Sequence, residues 1–290
     1  MWRCLYSLSK VKLDSQRRCG LCSGINKILH HLVRSARQPR GNALFCSNLP
    51  IESKGQRDRL PAMSQTEQIL VYGDSLAWGI IPNTRERLPF GERWPGVLES
   101  KLNALGRRAR VIEDCLNGRR TVWDDPFKPG RRGLDGLAQR IEINSPLSLV
   151  ILMLGTNDFQ FCHPYNNSWS AAQGVATLIN ETRKAPIEPG MPVPPILLVC
   201  PPQIRNPRGS MQEKFRGANL RCAGLADAYA LVASDLRCHF FDAQSVASLS
   251  DIDGVHLDAD QHVILGNALA EMVRSILSTA DNCDSNSSRS

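Results

Sequence analysis

A serine at the end of an apolar segment is the first residue whose position suggests chemistry. Residues 68–72 are largely apolar and lead directly into Gly73, Asp74 and Ser75. A serine that follows a strand and a glycine would face the ligand crevice of a parallel sheet, where its hydroxyl could act as a nucleophile. Gly-Asp-Ser is also a common turn composition, so Ser75 could instead be a helix cap.

Asp253 and His256 could activate this serine. A serine hydroxyl needs a base such as imidazole, and the imidazole needs a carboxylate that fixes its tautomer. Of the six histidines, only His256 combines a loop position with a neighbouring acid three residues away. The alternative is that Asp253 is a turn residue and His256 a cap. Asp74 and Asp158 are predicted to fix loops as hydrogen-bond acceptors rather than to act as catalytic acids.

Two further loops follow apolar segments and carry hydrogen-bond donors. Asn157 follows the most hydrophobic segment, 149–154, and Gly118 follows the segment 109–113. An esterase must stabilise the oxyanion of its tetrahedral intermediate, for which a side-chain amide or a backbone N–H is suitable. Each loop alone could equally be a cap. Together, the motifs put polar residues after the first, second, third and last apolar segments, which favours one catalytic crevice.

These residues require a scaffold in which strand ends meet. Short apolar runs alternate with segments of helical period, which predicts a parallel sheet covered by helices on both faces. In such sheets ligands bind beyond the carboxyl ends of the strands. The predicted strands are 68–72, 109–113, 148–154, 195–200 and 238–241, and the predicted helices lie at about 94–105, 172–179, 211–234 and 263–276.

This set of motifs resembles the GDSL (SGNH) hydrolase family over roughly residues 69–277. The resemblance implies a flavodoxin-like three-layer α/β/α sandwich with a central parallel five-stranded sheet. The α/β-hydrolase fold would require Gly-x-Ser-x-Gly, whereas Ala77 stands two residues after Ser75. The site residues that the resemblance implies are the triad Ser75, Asp253 and His256 and the oxyanion-hole donors Ser75, Gly118 and Asn157.

Within the family, the chain is most similar to the arylesterase/acyltransferase branch known from mycobacteria. The similar stretches include residues 73–79, 93–98, 153–158 and 253–256. The resemblance implies hydrolysis of short-chain acetyl or aryl esters through an acyl-enzyme, with acyl transfer to alcohols or peroxide. It also implies a cytoplasmic homo-oligomer whose partners are a small-molecule ester and an acyl acceptor. The alternatives are a lysophospholipase or thioesterase and a carbohydrate acetylesterase.

The net charge of +7 is concentrated before residue 63. Residues 1–62 hold 12 Lys and Arg against 3 acids, so the remainder of the chain carries −2. We interpret 1–62 as a basic leader, disordered or outside the mature fold, with a start at Met63; a targeting peptide and a nucleic-acid arm are the alternatives. A hydrolase domain is predicted over 63–280 and a disordered tail over 281–290.

Several classes of partner and function are disfavoured. No apolar run reaches the length of a membrane-spanning helix, so we expect no membrane partner. We expect no nucleic-acid partner because the basic charge belongs to the leader. Cys19 and Cys22 lack a second ligand pair at usable spacing, and we therefore expect no metal and no cofactor. A binding module on an inactive scaffold and a nucleic-acid-binding protein remain alternatives.

Aromatic and basic residues near the motifs give further predictions. Trp78 and Phe159 are candidates for the substrate pocket, together with Phe161 and Trp169, although aromatic side chains also belong in cores. Four arginines could attract an anionic substrate or contact a neighbouring subunit, but we interpret them as part of a solvated loop: Arg119, Arg120, Arg131 and Arg132.

Overall fold

A computed structural model describes residues 66–287 of the chain, and the side chains of residues 66–279. The predicted leader and the start at Met63 lie outside the described residues. The strands are β1 (Glu67–Gly73), β2 (Ala109–Cys115), β3 (Leu149–Met153), β4 (Ile196–Cys200) and β5 (His239–Asp242). The α-helices are α1 (Ser75–Trp78), α2 (Trp94–Ala104), α3 (Leu137–Asn144), α4 (Ser168–Arg183), α5 (Ala218–Arg221), α6 (Leu225–Asp235) and α7 (Ala259–Ser287).

The five strands form one parallel sheet in the order β2-β1-β3-β4-β5. β3 and β4 are buried along their whole length, as expected for central strands covered on both faces. In the register of the sheet, Gly73 pairs with Cys115 on one side and with Met153 on the other. The carboxyl ends of β1, β2 and β3 therefore lie side by side, and the loops that follow them share one edge.

Side chains on the two faces of the sheet form two separate cores. In β1, Leu70 and Tyr72 point to one face and Ile69 and Val71 to the other, because successive side chains in a strand alternate. The first core includes residues of α3, α4 and α6, and the second includes residues of α2 and α7. The predicted three-layer α/β/α sandwich is thus confirmed.

The prediction of one continuous helix over 211–234 is wrong. The structure has a 3-10 helix, Gly209–Met211, followed by the separate helices α5 and α6. Gly217 and Gly224 precede these two helices with φ of 72° and 75°, a left-handed conformation that interrupts helical hydrogen bonding. The sequence pattern also missed α3, in which only Leu137 and Ile141 are buried.

The last helix is longer than predicted. α7 extends to Ser287, so most of the 281–290 segment, for which the sequence predicts disorder, is helical. After Gly266 no glycine or proline interrupts the chain before residue 287, which allows the helix to continue. None of the helices described between residues 66 and 287 is both long enough and apolar enough to cross a membrane.

Candidate active site

Ser75 is the first residue of α1, and only Asp74 separates it from the end of β1. The Asp74 carboxylate caps this four-residue helix, since its Oδ1 accepts a hydrogen bond of 2.9 Å from the Leu76 N–H. The helix cap is therefore Asp74, and the alternative that Ser75 is the cap is wrong. This leaves the Ser75 hydroxyl at the carboxyl edge of the sheet, where 6% of the residue remains exposed.

His256 lies next to Ser75 although 181 positions separate them in the chain. Its Nε2 is 3.1 Å from Ser75 Oγ, and its Nδ1 is 2.6 Å from Asp253 Oδ2. An imidazole whose Nδ1–H donates to a carboxylate presents an unprotonated Nε2, which can accept the serine proton. The predicted serine, histidine and aspartate are thus brought together in the geometry that base-assisted nucleophilic attack requires.

Four hydrogen bonds fix the Asp253 carboxylate. Oδ1 accepts from the backbone N–H groups of Val255 and His256, and Oδ2 accepts from the Asn83 N–H as well as from His256 Nδ1. Burial alone would raise the pKa of Asp253. The hydrogen bonds and the charge of His256 outweigh burial and lower this pKa below its ordinary value, so Asp253 is ionised at neutral pH.

A glycine turn makes the short Asp253 to His256 spacing feasible. Gly254 has φ of 73°, and a Cβ there would stand 2.1 Å from the carbonyl oxygen of Asn206. A residue with a side chain would therefore meet both backbone strain and a backbone clash. The turn aims both functional side chains towards Ser75.

Gly118 and Asn157 are placed as predicted. Together with Ser75 and His256 they line a single pocket of about 840 Å³. The backbone N–H groups of Ser75 and Gly118 have no hydrogen-bond acceptor among the residues that the structure describes. Free N–H groups beside a nucleophile are suited to receive a developing oxyanion.

The Asn157 side chain is held by neighbours on both of its polar atoms. Nδ2 donates to Asp74 Oδ2 at 2.9 Å and to the Arg119 carbonyl at 3.2 Å, while Oδ1 accepts from Gln160 Nε2 at 2.6 Å. The amide nitrogen therefore lies against Asp74, the residue that precedes Ser75 in the chain. The sequence gives no signal for Gln160, because it lies one residue beyond the 3-10 helix Thr156–Phe159 and follows no recognisable motif.

Asp74 and Asp158 act as buried acceptors, as predicted. Burial raises the pKa of Asp74 to about 6, although the Leu76 N–H, the charge of His256 and the Asn157 amide oppose this. Burial likewise raises the pKa of Asp158 to about 7, against hydrogen bonds from the backbone and hydroxyl of Thr121. Neither carboxylate contacts Ser75 or His256 by a hydrogen bond.

The prediction that Trp78 and Phe159 line the substrate pocket is wrong. Trp78 lies outside the pocket lining, with the Arg87 guanidinium 4.8 Å above its ring, and Phe159 is fully buried in a core. Both follow the functional motifs closely, but their side chains point away from the crevice. Of the other aromatics considered, Phe161 lines the pocket and Trp169 does not; the apolar lining consists of Ile80, Phe127, Phe161, Met211 and Phe215.

The interpretation of the arginines as a solvated loop is wrong for two of the four. Arg119 and Arg120 are 6% and 0% exposed. Arg119 pairs with Asp114 at 2.6 Å, and Arg120 donates to Gln160 Oε1 at 2.6 Å and pairs with Asp125 at 3.2 Å. Arg120 thereby joins the loop after β2 to the loop after β3.

Metal-ligating side chains do not cluster in the described part of the chain. No group of three or more His, Cys, Asp or Glu side chains there is arranged to hold an ion.

A three-layer parallel sandwich with a hydrogen-bonded serine, histidine and aspartate at the carboxyl edge of its sheet defines the class of SGNH-type hydrolases. The sequence profile of the GDSL-like Lipase/Acylhydrolase family matches residues 71–264. The chain belongs to this family and is a hydrolase of the esterase type. No curated protein matches the chain significantly.

Three solved structures illustrate the similarity. The inhibitor-bound aryl esterase of M. smegmatis is 35% identical, with a TM-score of 0.69. A carbohydrate acetylesterase family member from Sinorhizobium meliloti is 36% identical, with a TM-score of 0.69. Est24, a carbohydrate acetylesterase from the same organism, is 30% identical, with a TM-score of 0.68. Each comparison covers 73% of this chain and 100% of the other.

Proposed function

We propose that this protein hydrolyses short-chain acetyl and aryl esters through a covalent acyl-enzyme on Ser75. The observation that carries the proposal is the continuous hydrogen-bond path from Ser75 Oγ to His256 (3.1 Å) and from His256 to Asp253 (2.6 Å). The path lies at the wall of a pocket large enough for a small ester.

In the acylation step, Ser75 Oγ attacks the carbonyl carbon and its proton passes to His256 Nε2. Asp253 accepts the Nδ1–H bond and stabilises the imidazolium charge. The oxyanion is stabilised by the N–H groups of Ser75 and Gly118 and by Asn157 Nδ2, which exchanges its longer contact to a carbonyl for the oxyanion. The carbonyl then re-forms, the bond to the alcohol oxygen breaks, and the alcohol leaves with the proton from His256.

In the second step, an acceptor attacks the acyl carbon on Ser75 and transfers its proton to His256. The tetrahedral intermediate collapses, the bond between the acyl carbon and Ser75 Oγ breaks, and Oγ recovers the proton. Water as the acceptor gives the carboxylic acid. We propose that an alcohol gives a new ester and a peroxide gives a peroxy acid, since each supplies a nucleophilic oxygen and one proton.

The direct test uses p-nitrophenyl acetate. Ser75→Ala is expected to lower kcat by about 10⁴-fold or more, because it removes the nucleophile of the triad. Ser275→Ala changes an exposed serine on α7 and is the matched control, with activity expected to stay at the wild-type level. Full activity in Ser75→Ala would exclude the proposed nucleophile.

A competing alcohol tests acyl transfer separately. The acetyl ester of the alcohol is expected to accumulate alongside acetate, in a proportion that rises with the alcohol concentration. If acetate remains the sole product at every alcohol concentration, transfer to alcohols is excluded while ester hydrolysis stands.

A carbohydrate acetylesterase is the second candidate, favoured by two of the similar structures. Comparing kcat/KM for an acetylated sugar and for phenyl acetate distinguishes the two. A chain-length series of p-nitrophenyl esters addresses the lysophospholipase or thioesterase alternative, which predicts a preference for long acyl chains. Assembly into a homo-oligomer and a cytoplasmic location stay predictions from the resemblance.

A further inference from the structure

Three cationic side chains lie around the pocket that contains Ser75. Arg85, Lys128 and Lys214 all contribute to its lining, although they come from three different loops. None of the three makes an ion pair within 4.0 Å with a residue in the described range 66–279. Three positive charges therefore lie at the pocket without an ion-pair partner in that range.

The two acids in the same lining are already engaged. Asp125 pairs with Arg120 at 3.2 Å, and its Oδ1 accepts the backbone N–H groups of Phe127 and Lys128. Glu213 pairs with Arg216 at 3.4 Å and is directed to solvent. Both acids thus pair with arginines outside the lining, and neither forms an ion pair with Arg85, Lys128 or Lys214.

The three cations line the same pocket, so their charges act on one another. Desolvation lowers the pKa of Lys214, and the charges of Lys128, Arg120 and Arg85 lower it further, against Asp125. Mutual repulsion between like charges beside an apolar wall is unfavourable in the free protein. A bound anion would relieve this repulsion, whereas a neutral ligand would not.

We propose that the pocket selects esters that carry a second, anionic group, such as a free carboxylate, which binds among Arg85, Lys128 and Lys214 while the ester carbonyl reaches Ser75. The inference rests on the proposed function and names the substrate class of that same site. The apolar side chains of the lining, including Phe161 and Phe215, would contact the part of the substrate between the two groups.

Two pairs of substrates test the proposal and locate the charge. On the acyl side, p-nitrophenyl hydrogen glutarate is compared with its neutral methyl ester. On the alcohol side, the acetyl ester of 4-hydroxybenzoate is compared with its neutral methyl ester. The anionic member of at least one pair is expected to have a kcat/KM about tenfold higher at low ionic strength. The advantage is expected to shrink as salt screens the cations.

Variants test whether these cationic side chains cause the preference for anionic esters. Lys214→Met and, separately, Lys128→Met are expected to lower the anionic-to-neutral ratio of kcat/KM by severalfold. Arg110→Met removes the same charge from the exposed amino-terminal end of β2, away from the pocket, and should leave the ratio unchanged. Because Lys128 and Lys214 are both exposed, their loss should not prevent folding.

The outcomes separate this inference from the function on which it rests. A ratio near one in both pairs, or a ratio that falls equally in Arg110→Met, overturns the proposed selectivity; Ser75-dependent hydrolysis of the neutral esters would leave the esterase proposal intact. If the wild-type protein hydrolyses none of the four esters, both proposals fail. A high ratio in a single pair supports the proposal and assigns the anionic group to that side of the ester.

Discussion

The Asp74 carboxylate accepts a hydrogen bond from Asn157 Nδ2 at 2.9 Å, and both side chains are buried. This contact joins the loop after β1 to the loop after β3 across 83 positions of sequence. Asp74 also caps the helix that begins with Ser75. One carboxylate therefore sets the relative positions of the proposed nucleophile and of the proposed oxyanion donor.

Asp74→Asn tests whether this contact positions Asn157. The variant amide can still accept from the Leu76 N–H, but it then directs its NH₂ group at the NH₂ group of Asn157. We expect kcat to fall about 10- to 100-fold with little change in KM, because an oxyanion donor acts in the transition state. Asp158→Asn, an equally buried acid on the adjacent loop, should retain kcat. Equal losses of kcat in the two variants would show that Asp74 has only a structural role.

Gln160→Glu examines the other side of Asn157. Glutamate keeps an acceptor for Arg120 but faces Asn157 Oδ1 with an oxygen instead of the NH₂ group that lies 2.6 Å away in the wild type. Two acceptors repel each other, so we expect kcat for p-nitrophenyl acetate to fall about tenfold. Gln173→Glu on the exposed face of α4 serves as the control. Wild-type kcat in Gln160→Glu would show that Asn157 is held without Gln160.

The raised pKa of Asp158 predicts a specific pH dependence of the free energy of unfolding. Its pKa is raised to about 7, above the value of about 4 in an unfolded chain. The folded state retains the proton longer, so the contribution of Asp158 to the free energy of unfolding is largest below about pH 4 and is lost as the pH rises to about 7. In Asp158→Asn, the amide can accept from the Thr121 N–H and donate to its hydroxyl without titrating.

Urea unfolding of both proteins measures this contribution. Between about pH 5 and pH 8, the stability of the wild type relative to Asp158→Asn should decrease by on the order of 2 kcal/mol. Taking the difference between the two proteins removes the contributions of the other titrating groups. A difference that does not vary with pH would mean that Asp158 is ionised throughout.

Gly254→Ala should disturb the turn that carries Asp253 and His256. The variant combines a left-handed backbone conformation with a Cβ 2.1 Å from a carbonyl oxygen. We expect a loss of about 2–4 kcal/mol in the free energy of unfolding, with a decrease in activity. Gly130→Ala has a similar φ of 76° but open space around the Cβ, and it should cost about 1 kcal/mol. Equal losses of stability in the two variants would show that the structure around residue 254 shifts to relieve the clash.

The strands and the positions of the proposed site residues could be predicted because both depend on strong local signals. Central parallel strands such as Leu149–Met153 are continuous apolar runs, and each of the five predicted strands lies within two residues of its observed bounds. Since the carboxyl ends of parallel strands share one edge, knowing which residues follow them was enough to bring Ser75, Asn157 and His256 together.

The features that could not be predicted from the sequence depend on side-chain direction and on loop conformation. Trp78 and Phe159 are near the motifs in sequence, but the helical turns on which they lie point them away from the crevice. Lys128 and Lys214 reach the pocket from loops without a period that could reveal their direction. Gly217 and Gly224 break the predicted long helix through positive φ values that the apolar spacing does not encode.

Ser75 is proposed to carry the acyl group during turnover. Wild-type protein mixed with p-nitrophenyl acetate, quenched with acid during turnover, digested and analysed by mass spectrometry should contain one acetyl group on the peptide that includes Ser75. The Ser75→Ala protein should contain none and should not turn over the ester. Turnover without acetylation of that peptide, or an acetyl group on another residue that forms at the rate of turnover, would contradict this role of Ser75.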